Sequence, residues 1–531
     1  MKRFLWLGFV LFVYLICTGC GDTFRPIIIP NPPTFPNPAA ANTVVSINDN
    51  GTVVPGTAMV IDVSGDTDVS IANVGLAPVH AVQQSAGVIL VANHSVTGAA
   101  ADSVTKLNFN NTTIGSANTI SLPANSAPNF VATTESTQAY VLLSNLTEVG
   151  VINTTSNVLV NTVAVGSNPD AMAETPDTKK LYVANQADST ISGFNTNPTE
   201  HSLTPRTVAQ AFNGPLWLSA RSDSQRLYVL NGNGVVTTID TSTTAGPDTV
   251  IDASINVPGA YYMLYDGNLN RLYIPYGTAL AIIDVSQSIP QLDATIPIPQ
   301  VPSVPPVTAS AVAVASLPDG SRAYVASVPA AAQPTQVSIS GVMGDGTTAT
   351  YSYLLTSGYL APGIQIAVSG TTIPAGFAGT FTITAASGTS CATQVCTFQT
   401  ANTTVASQTA VTGQGSSTIN NLFPQVTEVD AVSNTAAATM AMPGFPDATV
   451  QSSPYYVPVC ATTRFRFMMA AGGDSTRAYF ASCDGGVVDI IDTSAEQYIL
   501  NLAEPVGTLP PIPPDPQNPP QNPVFLMAGP P

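Results

Sequence analysis

Between residues 179 and 196 the sequence reads KKLYVANQADSTISGFNT: apolar and polar positions alternate in two short runs on either side of a polar turn. Alternation with a period of two predicts strands rather than helices, so the stretch predicts a hairpin. The first run recurs as AYVLL at Tyr140, LYVLN at Tyr228, LYIPY at Tyr273, AYVAS at Tyr324 and AYFAS at Tyr479, with ILVAN around Leu90 as a looser copy. Most neighbouring copies lie about 42 to 51 residues apart, a period that indicates propeller blades or solenoid turns.

A second strand follows each first one and ends in Asp or Asn: Asp62, Asn153, Asp240, Asp284 and Asp492. Such residues bond their own backbone in Asx-turns, and that role is assigned to them here rather than catalysis. Another strand, led by proline, precedes the tyrosine strand, as in APVHAVQQ, APNFVATT, NPDAMAET and GPLWLSAR. Proline suits the first residue of a strand, where no ladder donor is lost. With the strand that closes each unit, the count is four strands per roughly 45 residues, the make-up of a propeller blade.

These units resemble YVTN-type β-propeller repeats, whose motif LYVAN at 181–185 nearly matches. The resemblance covers most of residues 42–333 and 421–531 and implies an all-β propeller of four-stranded blades. The C-terminal NPVFLMAGPP reads as a proline-led first strand without successors, and TVVSIND through DVSIANV as the three strands that should follow it. Joining them gives eight units, one split between the termini. Seven, the common number in the family, is the alternative. The Pro-rich stretch 504–521 would link across to the closing blade.

The interval from Tyr324 to Tyr479 breaks the rhythm. Removing residues 334–420 restores a blade with TEVDAVS as its second strand. The excised piece carries alternating runs of its own (YSYLLTS, GIQIAVS, GTFTITAAS, CTFQT), which predict a small inserted β-sandwich. PAGFAGTFTITAAS resembles the Ig-like modules of bacterial surface and phage structural proteins, which implies adhesion or spacing.

Charge changes the picture of partners. The net charge is -18 with 14 Lys plus Arg. Nucleic-acid binding requires phosphate-neutralising cations, and no basic run follows the first three residues. At the N-terminus, Lys2 and Arg3 precede an apolar run over 4–17 and then Thr18-Gly19-Cys20. That is the layout of an export signal, and the run is short for a membrane span. It resembles the lipobox of bacterial lipoproteins, with Cys17 standing where Leu is usual. The resemblance implies a signal peptide over 1–19, lipidation of Cys20 and a membrane anchor through the N-terminal lipid. Gly21 is not the Asp that retains some lipoproteins at the inner membrane, so the outer membrane is favoured. Proline spacing makes residues 20–41 an extended tether.

Export also makes disulfides plausible for the four remaining cysteines, and local pairing of Cys391 with Cys396 and of Cys460 with Cys483 is expected among three connectivities.

The search for chemistry yields little. The three histidines, His80, His94 and His201, form no metal-ligand spacing, and no nucleophile elbow or phosphate loop is evident. The acid-rich DVSGDTD at 62–68 could hold calcium but lacks the Gly and distal Glu of an EF-hand loop, so a solvated turn is the reading. GDGTTAT at 344–350 reads as a hairpin turn. Propeller ligands sit at the central channel or on a rim, and the proline-led strands should be innermost. Their larger or polar residues are His80, Asp170, Trp217, Tyr261, Arg464 and Arg466. The two arginines alternate with Phe465 and Phe467 and could hold a carboxylate or other anion, the alternative being a salt bridge within the chain. The expected function is a monomeric binding scaffold for an envelope protein or glycan. The rivals are a lactonase-like hydrolase or dehydrogenase on the same fold, and a structural envelope or adhesion protein.

Overall fold

The strand Lys180–Asn185, which carries LYVAN, is buried along its whole length. Its counterpart Gln138–Leu143 shows why such a run needs apolar residues on both faces. Ala139, Val141 and Leu143 pack with Leu90, Ala92 and Val104 of the preceding sheet. Tyr140 and Leu142 pack with Ala171, Tyr182 and Val183 of the following one. Successive side chains of a strand point to opposite faces, so each sheet is sandwiched between two neighbours and none could bury its faces alone.

The computed structural model describes residues 43–529 apart from 51–53, 86, 95–101, 211, 331–333, 388–389, 419–420, 443, 447–464, 496 and 504–521. Eight four-stranded antiparallel sheets form the blades of a β-propeller. Blade 1 is the split one: Thr43–Asp49, Thr57–Asp62 and Thr67–Asn73 are completed by the C-terminal strand Asn522–Ala528, which pairs with Thr43–Asp49. Blade 2 runs from Pro78–Ser85 to Thr113–Ser121, and blade 3 from Pro128–Ala132 to Val158–Ala164. Blade 4 spans Pro169–Glu174 to Ser202–Arg206, blade 5 Pro215–Ala220 to Thr249–Asn256, and blade 6 Leu264–Asp266 to Gln291–Pro297. Blade 7 combines Ala309–Ser316 and Arg322–Pro329 with Gln425–Asp430 and Thr435–Ala441; blade 8 spans Phe467–Ala471 to Gln497–Ala503. The termini thus close the ring with one shared sheet, which removes the open edges.

The acids at the strand ends act as turn formers. Asp62, Asn153, Asp240, Asp284 and Asp492 each accept the backbone N–H two residues on, from Ser64, Thr155, Ser242, Ser286 and Ser494.

The module inserted in blade 7 has its strands between Gln336 and Ser417. Its expected two-layer packing takes the form of a closed six-stranded barrel. Closure comes from Gln336–Asp345, which pairs with Thr348–Ser357 on one side and with Val405–Ser417 on the other. Val342, Tyr351, Ile366, Phe377 and Phe398 fill it, and Asp345 caps the Gly346 turn by accepting from Thr347 and Thr348 N–H. The predicted signal peptide, tether and 504–521 link lie outside the described residues.

Candidate functional site

The proline that leads each inner strand has a consequence one residue later. In six blades the pairing register skips the residue after the proline or its equivalent: Val79, Asn129, Asp170, Leu216, Val312 and Val524 are bulged. A bulge re-aims the side chain that follows it. Those side chains are His80, Phe130, Ala171, Trp217, Ala313 and Phe525, at one level of the central channel.

Four of them are rings, and with Tyr262 and Phe465 they close the channel. His80 stacks on Phe130 with centroids 3.8 Å apart and lies 4.6 Å from Phe525. Trp217 meets Phe130 edge-on at 5.8 Å, Tyr262 at 5.0 Å and Phe465, three blades away, at 6.0 Å. Phe465 and Phe525 are 5.1 Å apart. Rings from blades 3, 5 and 8 touch one another only if they cross the channel, so the cluster is a plug. His80 is buried within it, its Nδ1 accepting from Val131 N–H at 3.3 Å.

Beyond the plug lies a chamber of about 610 Å³, lined by all eight inner strands. Its walls are Met172, Met263, Met468, Met527, Leu218 and Val131, with alanines between them. At its far end stand Gln83, Thr133, Thr134, Glu174 and Ser219. Gln83, Thr133 and Glu174 each lie five residues after the leading proline, so they form one level, about 10 Å along the strands from the plug.

Among the described residues Glu174 is the one carboxyl on the wall, and no Lys or Arg lines it. It is 5 % exposed. Its oxygens accept from Thr134 N–H and, at 3.3 Å, from the Tyr140 hydroxyl. Burial raises its pKa to about 7, outweighing the Thr134 and Tyr140 hydrogen bonds that pull it down. The chain of bonds continues outward between blades 3 and 4. Gln138 Nε2 donates to the Tyr140 oxygen, Gln138 Oε1 faces His201 Nδ1 at 3.0 Å, and Asn153 Nδ2 faces His201 Nε2 at 2.8 Å. Those partners set His201 as the Nδ1–H tautomer.

The site residues expected from sequence divide sharply. His80 and Trp217 are in the plug. Asp170 is a bulge residue and does not line the chamber. Tyr261 is replaced in the site by its neighbour Tyr262: its own hydroxyl donates to the Val312 carbonyl at the seam between blades 6 and 7, and burial raises it to about 12. Arg466 does not present an open guanidinium, because it forms an ion pair with the buried Asp484 and lies over the Phe467 ring at 5.6 Å. Arg464, Cys20 and Cys460 lie outside the described residues. Cys391 and Cys396 are joined by a disulfide, and Cys483 is buried. In the DVSGDTD turn Asp62 bonds Ser64 while Asp66 pairs with Arg477, and no group of three metal-binding side chains occurs among the described residues. Sequence reading missed Phe130, Phe525 and Glu174. The signal for the first two is a ring two residues after a leading proline, as in PVH, PNF, PLW and PVF.

A second cleft, about 770 Å³, lies where the barrel meets the propeller, between Pro302, Pro306, Tyr353, Tyr359 and Met442, with Cys391 on its wall.

No protein-family model matches this sequence, and no curated protein matches it. Among solved structures, the chain is similar to Citrobacter koseri AztD at 9% identity and a TM-score of 0.49, with 92% of this chain and 97% of that one covered. It is similar to a putative 6-phosphogluconolactonase of Bacteroides uniformis at 13% identity and a TM-score of 0.40, covering 54% and 89%. Dihydro-heme d1 dehydrogenase NirN, solved with DHE, matches at 11% identity and a TM-score of 0.45, covering 90% and 77%. At these scores the similarities assign nothing to the chamber.

Proposed function

We propose that this chain is a YVTN-type propeller lipoprotein, anchored through Cys20 at the bacterial cell envelope, outer membrane favoured, and working as a monomeric binding scaffold. The Pro-rich segment 20–41 lifts the propeller off the lipid, and the inserted module extends its reach toward an envelope protein or glycan. What supports binding over turnover is the dead-end chamber: one end is sealed by rings in mutual contact, and its walls are apolar down to a short polar level. Such a space holds a ligand and orients it with few polar groups. The rival is a lactonase-like hydrolase, and the observation favouring it is Glu174, a carboxyl raised toward neutrality on the chamber wall.

Two measurements test the reading. Palmitate labelling and membrane partitioning of the protein expressed with its own leader should both be lost in Cys20→Ala, and an unlabelled wild type overturns the anchor. Purified protein should turn over no lactone; turnover abolished by Glu174→Gln would replace the scaffold with an enzyme.

A further inference from the structure

We infer that the chamber binds an apolar organic cation, its charged nitrogen at Glu174 and its apolar body running past the methionines to the aromatic plug. The inference rests on the binding reading above and names its ligand class.

Charge comes first. Among the described lining residues Glu174 is the only carboxyl, and none is Lys or Arg. Several of the described cations are engaged at the blade seams instead. Lys106 donates to the Thr154 carbonyl, Lys180 to Thr243, Arg221 to Val285, Arg226 to Ser288 and Arg271 to Ala431, each across a seam to the next blade. An anionic ligand would therefore meet a carboxyl and no counter-charge. A neutral apolar ligand would fit the walls but leave Glu174 without a charge partner. A cation satisfies Glu174 and restores the ionised form that burial disfavours.

The remaining walls suit the same ligand. Ring faces carry negative quadrupole density and attract cations, most strongly where water is excluded. Trp217 and Tyr262 are only partly buried and line the chamber from the plug side. Thioethers are polarisable and adapt to irregular apolar shapes. Half of the chain's ten methionines, at 172, 263, 468, 469 and 527, line this one space. A volume of about 610 Å³ lies within the range of small-molecule pockets.

The molecule carries its own reporter. The sequence has two tryptophans, Trp6 in the leader and Trp217 in the plug, so the indole signal of the processed protein comes from the chamber. Three probes of one shape separate the chemistries: benzyltrimethylammonium, its neutral isostere neopentylbenzene, and phenylmethanesulfonate. The expected result is a saturable change in Trp217 fluorescence with the cation, and calorimetric affinity at least about tenfold above that for the other two. Glu174→Gln should remove that preference. Because Glu174 also holds Thr134 and Tyr140, Ser219→Lys serves as a second variant: it adds a cation to the same wall without touching those bonds, and it should weaken the cation at least about tenfold. Equal binding of the cation and its neutral isostere, tighter binding of the sulfonate, or no saturable response to any probe at millimolar concentration overturns the inference. None of those outcomes touches palmitate labelling or lactone turnover, so the scaffold reading stands or falls separately.

Discussion

The side-chain oxygen of Asn185 accepts the backbone N–H of Gly166 at 3.0 Å, which ties the crossover out of blade 3 to the end of the second strand of blade 4. Asn93 holds Gly75 N–H and Asn231 holds Asn213 N–H in the same way, both at 3.0 Å. Each crossover is a loop whose backbone donor is satisfied by this part-buried bond. The asparagine amide completes the lock by donating inward, in Asn185 to the Thr190 and Ser192 hydroxyls at 3.0 and 2.9 Å.

Removing that lock should cost stability directly. Asn185→Ala strands the Gly166 donor and two hydroxyl acceptors, and we expect a loss of about 1–3 kcal/mol in chemical unfolding. Gly166→Ala should cost a similar amount for a different reason. A Cβ there would sit 2.7 Å from Asn185 Cγ, inside contact distance. Wild-type stability in both variants would show that the recurrent Asn is ornamental to the crossover.

A second lock acts at the seam where the ring closes. Arg477 grips Asp66 of the split blade with two bonds, Nε to Oδ1 at 2.9 Å and Nη2 to Oδ2 at 3.0 Å. Lys180, Arg226, Arg271 and Arg322 stand at the matching place in their blades and reach backbone carbonyls of the next one. A carboxylate also stands at the seam between blades 4 and 5, where Asp248 pairs with Arg206 at 2.6 Å and lies 3.8 Å from Lys180. A double-mutant cycle on Asp66→Ala and Arg477→Ala should give a coupling on the order of 1 kcal/mol that shrinks with added salt. Arg477→Lys should keep less than half of it, because an ammonium cannot make the paired bonds. Zero coupling would mean that strand pairing to Asn522–Ala528 alone closes the ring.

Much of this was readable before the structure, for a physical reason. Residues such as Tyr140, Tyr182 and Tyr228 pack between sheets, so every blade needs the same alternation and the repeat survives in the letters. The plug was half readable. His80 and Trp217 follow a proline by two, and the bulge that aims them is a constant of five blades with a leading proline. Blade 6 breaks the phase: Gly259, at φ +85, lengthens the approach so that the fourth residue after Pro258, Tyr262, enters the plug instead of Tyr261. Arg466 takes the alternative raised from the sequence, a salt bridge within the chain, but its partner could not be named there: Asp484 lies 18 residues on, in a turn whose proximity only the hairpin fold creates. Glu174 was passed over because AMAET carries no motif. Its meaning lies in the absence of another Asp, Glu, Lys or Arg among the described lining residues, which eight separate strands supply and no local window contains.

Asp489, in the third strand of blade 8, is 1 % exposed, and its Oδ1 has no hydrogen-bond partner among the described residues. Burial pushes its carboxyl well above the usual carboxylate range. A folded pKa above the unfolded value means that the folded state holds the proton longer. The contribution of Asp489 to stability is therefore greatest below about pH 4, where both states are protonated, and falls as pH rises toward the folded value. Asp489→Val removes the penalty. It should exceed wild type by about 1–3 kcal/mol near neutrality, with the gap opening between about pH 4 and 7. A gap that stays constant across that window, followed by urea unfolding, would show that Asp489 is not ionising with a shifted pKa.

The inserted barrel should be removable, because its ends meet. Thr335 N–H donates to Ser417 Oγ at 3.1 Å, and Ser417 N–H donates to the Thr335 carbonyl at 2.9 Å. The blade strands on either side are already paired, with Ser327 opposite Gln425. A loop whose ends are held together by its host tolerates shortening, since closing the hairpin requires only a tight turn. Replacing residues 330–422 by a turn of about four residues should leave a soluble propeller with the Trp217 emission of the parent. The cost falls on Val301, Val304 and Ala309, which pack against the barrel cluster, and on the blade 7 core, which loses Leu422 from beside Val426 and Phe445. We expect at most about 1–3 kcal/mol of lost stability in thermal unfolding. An insoluble product, or one with altered Trp217 emission, would instead make the barrel part of the propeller's own core. If the shortened protein folds and still binds benzyltrimethylammonium, the chamber and the barrel are two independent binding elements on one ring.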